Sequence, residues 1–253
     1  MDLWQLLISG LIGLIGGLLS GLGGVGGGIF FVPALVYVAG WGIKEAVAAS
    51  LVVVIFSSLS GTIRNIRSAD PINWRNAALL ASTVAPASLM GVAISHFSPD
   101  VVIKLTFAAL LLVLAYPTAR GRPPFAETSF KMPTVLVLVA GVGIGTLSGL
   151  VGVGGGVLMV PLMVLGLGMR TKAAVSTSLV VALATGAVGA AGYLTTGFGR
   201  LFELLPLIVG SVVGAWVGVR LRDPLPDGAI RIGFAGFMAV VALRILGDAA
   251  GIL

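Results

Sequence analysis

Long apolar segments alternate with short polar loops along the whole chain. No Asp, Glu, Lys or Arg occurs in residues 3–43 or 132–169, and residues 46–63 and 173–199 are equally free of them. About 20 apolar residues cross the hydrocarbon core of a bilayer as a helix. The pattern therefore predicts membrane-embedded helices throughout. We divide the chain into hydrophobic segments at roughly 3–19, 29–41, 45–63, 76–96, 101–118, 132–147, 157–168, 173–193, 203–219 and 229–246.

Composition supports a membrane protein and excludes other classes. Of the 253 residues, 58% are hydrophobic and 9% are charged, whereas soluble domains carry about 25% charged residues. The net charge of +6 sits mostly in the loops, which positive-inside topology explains better than nucleic-acid binding does. With no cysteine and a single histidine, His96, we expect no thiol chemistry, no metal site and no cofactor. Residues 1–253 are predicted to form one integral domain in the lipid bilayer.

The chain is an internal duplication. Residues 20–61 align with residues 148–189 at a constant offset of 128, with 20 identities in 42 positions and no gap. The glycine-rich run from Ser20 to Gly28 returns as the run from Ser148 to Gly156. We therefore expect two repeats of about 1–119 and 131–253, each with five hydrophobic segments.

Loop charges predict that the two repeats are inverted across the membrane. The loop after the third segment holds Arg64, Arg67 and Arg75 in the first repeat, whereas its counterpart holds Arg200 beside Glu203. The loops after the second and fourth segments show the opposite bias. Because cytoplasmic loops are enriched in Lys and Arg, equivalent loops lie on opposite sides. This topology makes the connection 120–131 cytoplasmic and places both termini outside.

In that topology the first two segments of each repeat must enter and return as a re-entrant hairpin with a glycine tip, followed by three transmembrane helices. The second segment, at 12 or 13 residues, is too short to cross at about 1.5 Å per residue. Inversion brings the two tips together from opposite faces, near the midplane. The fold class predicted is an all-α membrane protein of two inverted repeats.

Anion recognition by backbone N–H groups is the chemistry expected at the tips. Glycine lets N–H groups approach a ligand closely, and the positive end of the following helix points at the tip. We favour this interpretation over simple helix packing. The candidate substrate-binding residues at the tips are Ser20, Gly24, Gly26, Gly27, Gly28, Ser148, Gly152, Gly154, Gly155 and Gly156.

Five further residues are candidates with an alternative role. Ser50, Thr177 and Ser178 lie two turns into the third segments, where a hydroxyl donates either to an anion or to its own i−4 carbonyl. Lys44 and Lys172 occupy the same place in each repeat. They either draw anions toward the tips or anchor the helices at the interface.

Other glycines have spacing typical of helix packing. Small residues four apart permit close approach of membrane helices. The pairs are Gly13/Gly17, Gly141/Gly145, Ala87/Gly91 and Gly214/Gly218.

The sequence offers no catalytic residues. Every Asp and Glu lies at a segment end or in a loop, so an acid–base enzyme or a buried carboxylate proton relay is not supported. Residues 21–26 fit the motif G-x-G-x-x-G, which is typical of dinucleotide-binding sites. The motif here has no βαβ context and is absent from the second copy, so we do not predict a dinucleotide site.

The doubled motif G-L-x-G-x-G-G-G-x-x-x-V-P, followed in each copy by K-x-A-V-x-x-S-L, resembles the TauE/SafE sulfite exporter family over nearly the whole chain. The resemblance implies transport of sulfite, sulfoacetate or related small organosulfur and carboxylate anions across the bacterial inner membrane. In that membrane, the loop charges described above predict that both termini are periplasmic. Related thiosulfate-uptake proteins rely on cysteines, which this chain lacks.

The function expected is a transporter of small inorganic or organosulfur anions, with sulfite export favoured. Efflux of an anion is downhill in an inside-negative potential, at about 2.3 kcal/mol per charge per 100 mV. Two alternatives stay open: uptake of an organosulfonate or small carboxylate, coupled through a proton on the substrate, and a non-transporting membrane scaffold. The oligomeric state does not follow from the sequence.

Overall fold

The computed structural model describes residues 3–24, 26–66, 72–119, 132–195, 201–221 and 227–249. Within these ranges the regular structure is helical throughout, which confirms the all-α prediction. The helices are α1 (Leu3–Gly23), α2 (Gly28–Tyr37), α3 (Ile43–Asn65), α4 (Trp74–Phe97), α5 (Asp100–Ala119), α6 (Thr134–Val151), α7 (Gly156–Leu167), α8 (Thr171–Leu194), α9 (Leu205–Leu221) and α10 (Asp227–Ala249), with a 3-10 turn at Leu201–Leu204.

Five of the described helices, α1, α3, α4, α6 and α8, are long and apolar enough to cross a membrane. Helices α3 and α8 are the most buried of these. In their apolar 18-residue stretches, 78% and 67% of the residues are buried inside the protein. A helix that is apolar on all sides belongs in the interior of a membrane bundle. Helices α3 and α8, the third helices of the two repeats, therefore form the centre.

Helices α2 and α7 are short, as the sequence predicts. They contain 10 and 12 residues, so they extend only about 15 and 18 Å. A bilayer core is about 30 Å thick. Each of these helices spans roughly half of it.

The first arm of each hairpin is longer than the sequence pattern suggests. The predicted segments end at residues 19 and 147, but α1 continues to Gly23 and α6 to Val151. Gly21 does not break α1, because its missing side chain lets the helix backbone lie against the carbonyl oxygen of Ala215. The hairpin thus joins one full-length helix to one half-length helix.

Helices α1 and α6 pack closely against the fourth helix of the opposite repeat. A methyl group on Gly17 would overlap the carbonyl oxygen of Ser211 in α9, and one on Gly145 would overlap that of Val84 in α4. These contacts are equivalent in the two repeats. They confirm that the small-residue pairs serve helix packing.

Helices α3 and α8 cross in opposite directions. A methyl group on Gly61 would lie 2.9 Å from Leu179, and one on Gly189 would lie 3.0 Å from Leu51. The later residue of each helix thus meets the earlier residue of the other. The equivalent helices of the two repeats are therefore antiparallel.

The loop residues that carry much of the predicted charge bias lie outside the described residues. These are Arg67, Arg120, Arg122, Lys131, Arg200 and Arg222, together with both termini.

Candidate functional site: two glycine tips in the core

Both glycine tips follow the same left-handed backbone path. In the first, φ is 67° at Gly24, 72° at Gly26 and 82° at Gly27. In the second, Gly152, Gly154 and Gly155 have φ values of 75°, 73° and 75°. Side-chain-bearing residues rarely adopt this region. The repeated glycines of the sequence therefore correspond to repeated conformational requirements.

A half-length helix begins at each tip. Gly27 is the N-cap of α2 and Gly155 is the N-cap of α7, and neither helix start has a side-chain cap. The first N–H groups of a helix have no partner within it, and they form the positive end of its dipole. Each tip therefore presents backbone donors suited to an anion.

The two tips are in contact with each other. A methyl group on Gly28 would lie 2.6 Å from the Cα atom of Val153 and would overlap the carbonyl oxygen of Gly152. Val54 of α3 lies against both tips, because methyl groups on Gly26 and Gly154 would come within 3.1 and 2.6 Å of it. Two helix N-termini thus meet beside the central helix pair.

Ser50 and Ser178 fasten the tips across the two repeats. The hydroxyl of Ser50 lies 2.6 Å from the carbonyl oxygen of Gly152, and that of Ser178 lies 2.7 Å from the carbonyl oxygen of Gly24. Each hydroxyl also lies within 2.9 Å of a carbonyl on its own helix. Because a hydroxyl has one proton, these carbonyls compete for it. Both serines hold the opposite tip, a role that neither sequence alternative anticipated.

Thr177 follows the second sequence alternative. Its hydroxyl donates to the i−4 carbonyl oxygen of Ala173 at 2.7 Å and accepts from the backbone N–H of Asn73 at 3.0 Å. The structure therefore places it against the start of α4 and not at a tip.

Ser20 and Ser148 are equivalent residues in the last turns of α1 and α6, next to the two tips. They are 0% and 1% exposed, and among the described residues neither hydroxyl has a hydrogen-bond partner. Their backbone carbonyls accept from the N–H groups of Gly24 and Gly152, each at 2.9 Å. Burying a polar group without a partner costs about 1–3 kcal/mol. The same cost occurs at equivalent positions in both repeats.

Lys44 and Lys172 lie apart from the tips, in the first turns of α3 and α8. The Lys44 ammonium group lies 3.3 Å from the carbonyl oxygen of His96 and 4.0 Å from the carboxylate of Asp100. Lys172 is exposed. These lysines therefore affect a ligand at the tips through their electrostatic field and not by direct contact.

Two contacts to the tip regions were not found by sequence reasoning. The Ser57 hydroxyl donates to the carbonyl oxygen of Gly26 at 3.0 Å, and the Tyr193 hydroxyl donates to that of Gly149 at 3.2 Å. The sequence did offer a sign of the Ser57 contact, because hydroxyl side chains are unusually dense between Ser57 and Thr62 for an apolar segment. Nothing local to Tyr193 indicates the second.

No cluster of three or more metal-ligating side chains occurs in the parts of the chain that the structure describes. The donors gathered at the tips are backbone N–H groups and hydroxyls. Such donors suit an anion.

Comparison with known proteins extends the resemblance to nearly the full length. The family model described as Sulfite exporter TauE/SafE matches residues 9–245. A probable membrane transporter protein of Haemophilus influenzae is 24% identical over 92% of this chain and 95% of its own length. One from Xylella fastidiosa is 30% identical over 84% and 83%. The Arabidopsis thaliana sulfite exporter TauE/SafE family protein 3 is 30% identical over 43% of this chain and 24% of its own. No solved structure matches.

Proposed function

The chain belongs to the TauE/SafE sulfite exporter family, a family of membrane transporters, and from that premise we propose that it carries small sulfur-containing oxyanions, with sulfite as the principal substrate. The observation that carries this proposal is the meeting of two uncapped helix N-termini beside two buried hydroxyls, those of Ser20 and Ser148. Backbone N–H groups and hydroxyls together form a donor set for a compact anion.

Sulfite fits this donor set by its chemistry. Its three oxygens accept hydrogen bonds from several directions, so donors from both tips can share one ion. In the buried interior of a membrane protein, a charged ligand without donors would be strongly disfavoured. The glycines let the donors approach it without a Cβ in between.

We propose that the two repeats are inverted in the membrane. The antiparallel packing of α3 and α8 supports this, because equivalent helices of inverted repeats cross in opposite directions. The loop charges support it independently, and they also support a periplasmic location of both termini in the bacterial inner membrane. The two tips would then open toward opposite faces, as alternating access requires.

Export is the direction that the charges favour. An inside-negative potential drives an anion outward at about 2.3 kcal/mol per charge per 100 mV. Ser20, Ser148 and the tip glycines have no carboxylate or imidazole group that could carry a proton. Efflux therefore needs no proton carried by the site.

A flux screen in liposomes tests the proposal. The purified chain is reconstituted into vesicles preloaded in turn with sulfite, sulfate, thiosulfate, sulfoacetate or lactate, and release is followed against protein-free vesicles. Sulfite should be released fastest. Preferred release of lactate or sulfoacetate would indicate the carboxylate or sulfonate alternative. No release of any anion would contradict a transport role and favour a scaffold.

A further inference from the structure

Helix α3 carries a second pair of buried hydroxyls beyond the tips. Ser58 and Thr62 are four residues apart, so they lie on one face of the helix, one turn from each other. They are 0% and 6% exposed. Among the described residues neither hydroxyl oxygen has a hydrogen-bond partner.

Neighbouring hydroxyls on the same helix behave differently. Ser57 donates to the carbonyl oxygen of Gly26 at 3.0 Å, and Ser60 donates to that of Val212 at 2.9 Å. Thr185, at the position in α8 equivalent to Ser57, bonds its own i−4 carbonyl at 2.8 Å. The other hydroxyls of α3 therefore have hydrogen-bond partners, whereas those of Ser58 and Thr62 have none within the described part of the chain.

The second repeat shows that packing does not require these hydroxyls. At the offset of 128, Ser58 corresponds to Gly186 and Thr62 to Ala190. The same helix position is therefore filled without a polar atom in the other half of the molecule. The pair breaks the symmetry of the duplication, and each unpartnered buried hydroxyl lowers the stability of the fold.

The pair begins at a tip and leads away from it. A methyl group on Gly26 would lie 3.5 Å from the Ser58 hydroxyl oxygen, so this hydroxyl borders the first glycine tip. Thr62 lies one turn further toward the end of α3. At that end the Arg64 guanidinium lies over the Trp216 ring, 5.8 Å from its centroid. Arg64, four residues after Ser60, shares with it the face of α3 that contacts α9, so the contacts for an anion on the other face come from the two hydroxyls.

We propose that Ser58 and Thr62 line the route by which the anion passes between the tips and the Arg64 end of α3. This inference rests on the proposed function of the tips and adds an asymmetry to it. The route on this side is hydroxyl-lined, whereas the equivalent positions on the other side are apolar. The ligand class is a small oxyanion that accepts hydrogen bonds from hydroxyls in passing.

Three threonine variants separate this role from packing. Thr62→Val keeps the side-chain shape and removes the hydroxyl, whereas Thr62→Ser keeps the hydroxyl and removes a methyl group. Thr185→Val makes the same chemical change at a buried threonine whose hydroxyl is already bonded within its helix. Ser58→Ala extends the test to the first position.

Sulfite release from preloaded liposomes is measured for each variant, together with the thermal midpoint in detergent. We expect Thr62→Val and Ser58→Ala to slow release by about tenfold while the midpoint stays unchanged or rises. Thr62→Ser and Thr185→Val should transport at nearly the rate of the unaltered protein. Loss of an unpartnered hydroxyl that only filled space would not slow transport.

The outcomes distinguish the two proposals. If Thr62→Val transports normally, or if Thr62→Ser is slowed as much as Thr62→Val, the hydroxyl route is wrong and the tip site still stands. If the unaltered protein releases no oxyanion in the flux screen, the proposed function fails and the route fails with it.

Discussion

The hydroxyl of Ser50 lies 2.6 Å from the carbonyl oxygen of Gly152, a residue 102 positions later in the chain. Its equivalent, Ser178, makes the same contact with Gly24 at 2.7 Å. Each repeat therefore holds the glycine tip of the other. Each helix N-terminus is therefore fixed in position by the central helix of the other repeat.

Removing one of these contacts should loosen a tip without unfolding the bundle. We expect Ser50→Ala to lower the free energy of unfolding by about 1–2 kcal/mol, the usual effect of a lost buried hydrogen bond, and to reduce sulfite flux several-fold. Ser178→Ala should behave alike. Thermal unfolding and liposome flux provide the two measurements.

Ser82→Ala is the matched control for these serines. Its hydroxyl is exposed and bonds only the carbonyl oxygen of Leu79 on its own helix, at 2.8 Å. The control should leave both quantities unchanged. Equal effects of Ser50→Ala and Ser82→Ala would show that the contact with Gly152 has no special role.

Gly27 and Gly155 adopt the same conformation in different amounts of space. A methyl group on Gly27 would lie 2.5 Å from the Phe31 ring, whereas one on Gly155 would meet nothing nearer than 3.7 Å. Alanine at either position adopts the left-handed region at a cost of about 1–2 kcal/mol. Gly27→Ala adds a clash, so it should reduce flux and stability more than Gly155→Ala.

Valine at either position should abolish transport while the protein still inserts in the membrane. A β-branched side chain is incompatible with this φ, and its methyl groups would occupy the space in front of the N–H donors. Flux is measured on variants that elute as a single monodisperse species. Normal transport by both valine variants would show that the tips are structural turns.

The interface of α4 with α6 gives a test of packing alone. A methyl group on Gly149 would overlap the carbonyl oxygen of Ser88, whereas one on Gly143, on the same helix, would have no heavy atom within 4 Å. We expect Gly149→Ala to destabilise the protein severely. Gly143→Ala should be neutral or stabilising by up to about 1 kcal/mol, because alanine favours helix. The thermal midpoints of the two variants should therefore move in opposite directions or differ by many degrees.

Lys44→Ala should change transport less than any tip variant. The ammonium group is partly exposed and pairs with His96 and Asp100 near a helix end, so its field at the tips is screened by solvent and salt. Raising the salt concentration should reduce the difference from the unaltered protein further. A loss of flux as large as that of the valine variants would instead place Lys44 in the pathway.

Much of this arrangement could be predicted from the sequence, because the duplication repeats the same local residue patterns in both halves of the chain. The doubled glycine run predicted the tips, and the length of segment two predicted the half-length helices α2 and α7. The spacing of Gly13 and Gly17 predicted a close helix contact. Each of these depends on residues within about one turn or one segment of each other.

The remainder depends on contacts between the halves. The bond from Ser50 to Gly152 joins residues that only the folded bundle brings together, so local patterns favoured a ligand or an i−4 partner instead. The extension of α1 to Gly23 likewise follows from packing on α9, which offsets the low helix propensity of glycine. The predicted topology stays a prediction, since many of its loop charges lie outside the described residues.

The central claim is that one oxyanion binds between the two tips, and sulfite release by the Ser20→Ala/Ser148→Ala variant tests it most directly. Both hydroxyls are buried and unpartnered among the described residues, so their removal should leave the thermal midpoint unchanged or higher. The account predicts that this folded variant releases sulfite from preloaded liposomes at least about tenfold more slowly than the unaltered protein. Release at the same rate by the two proteins would contradict it.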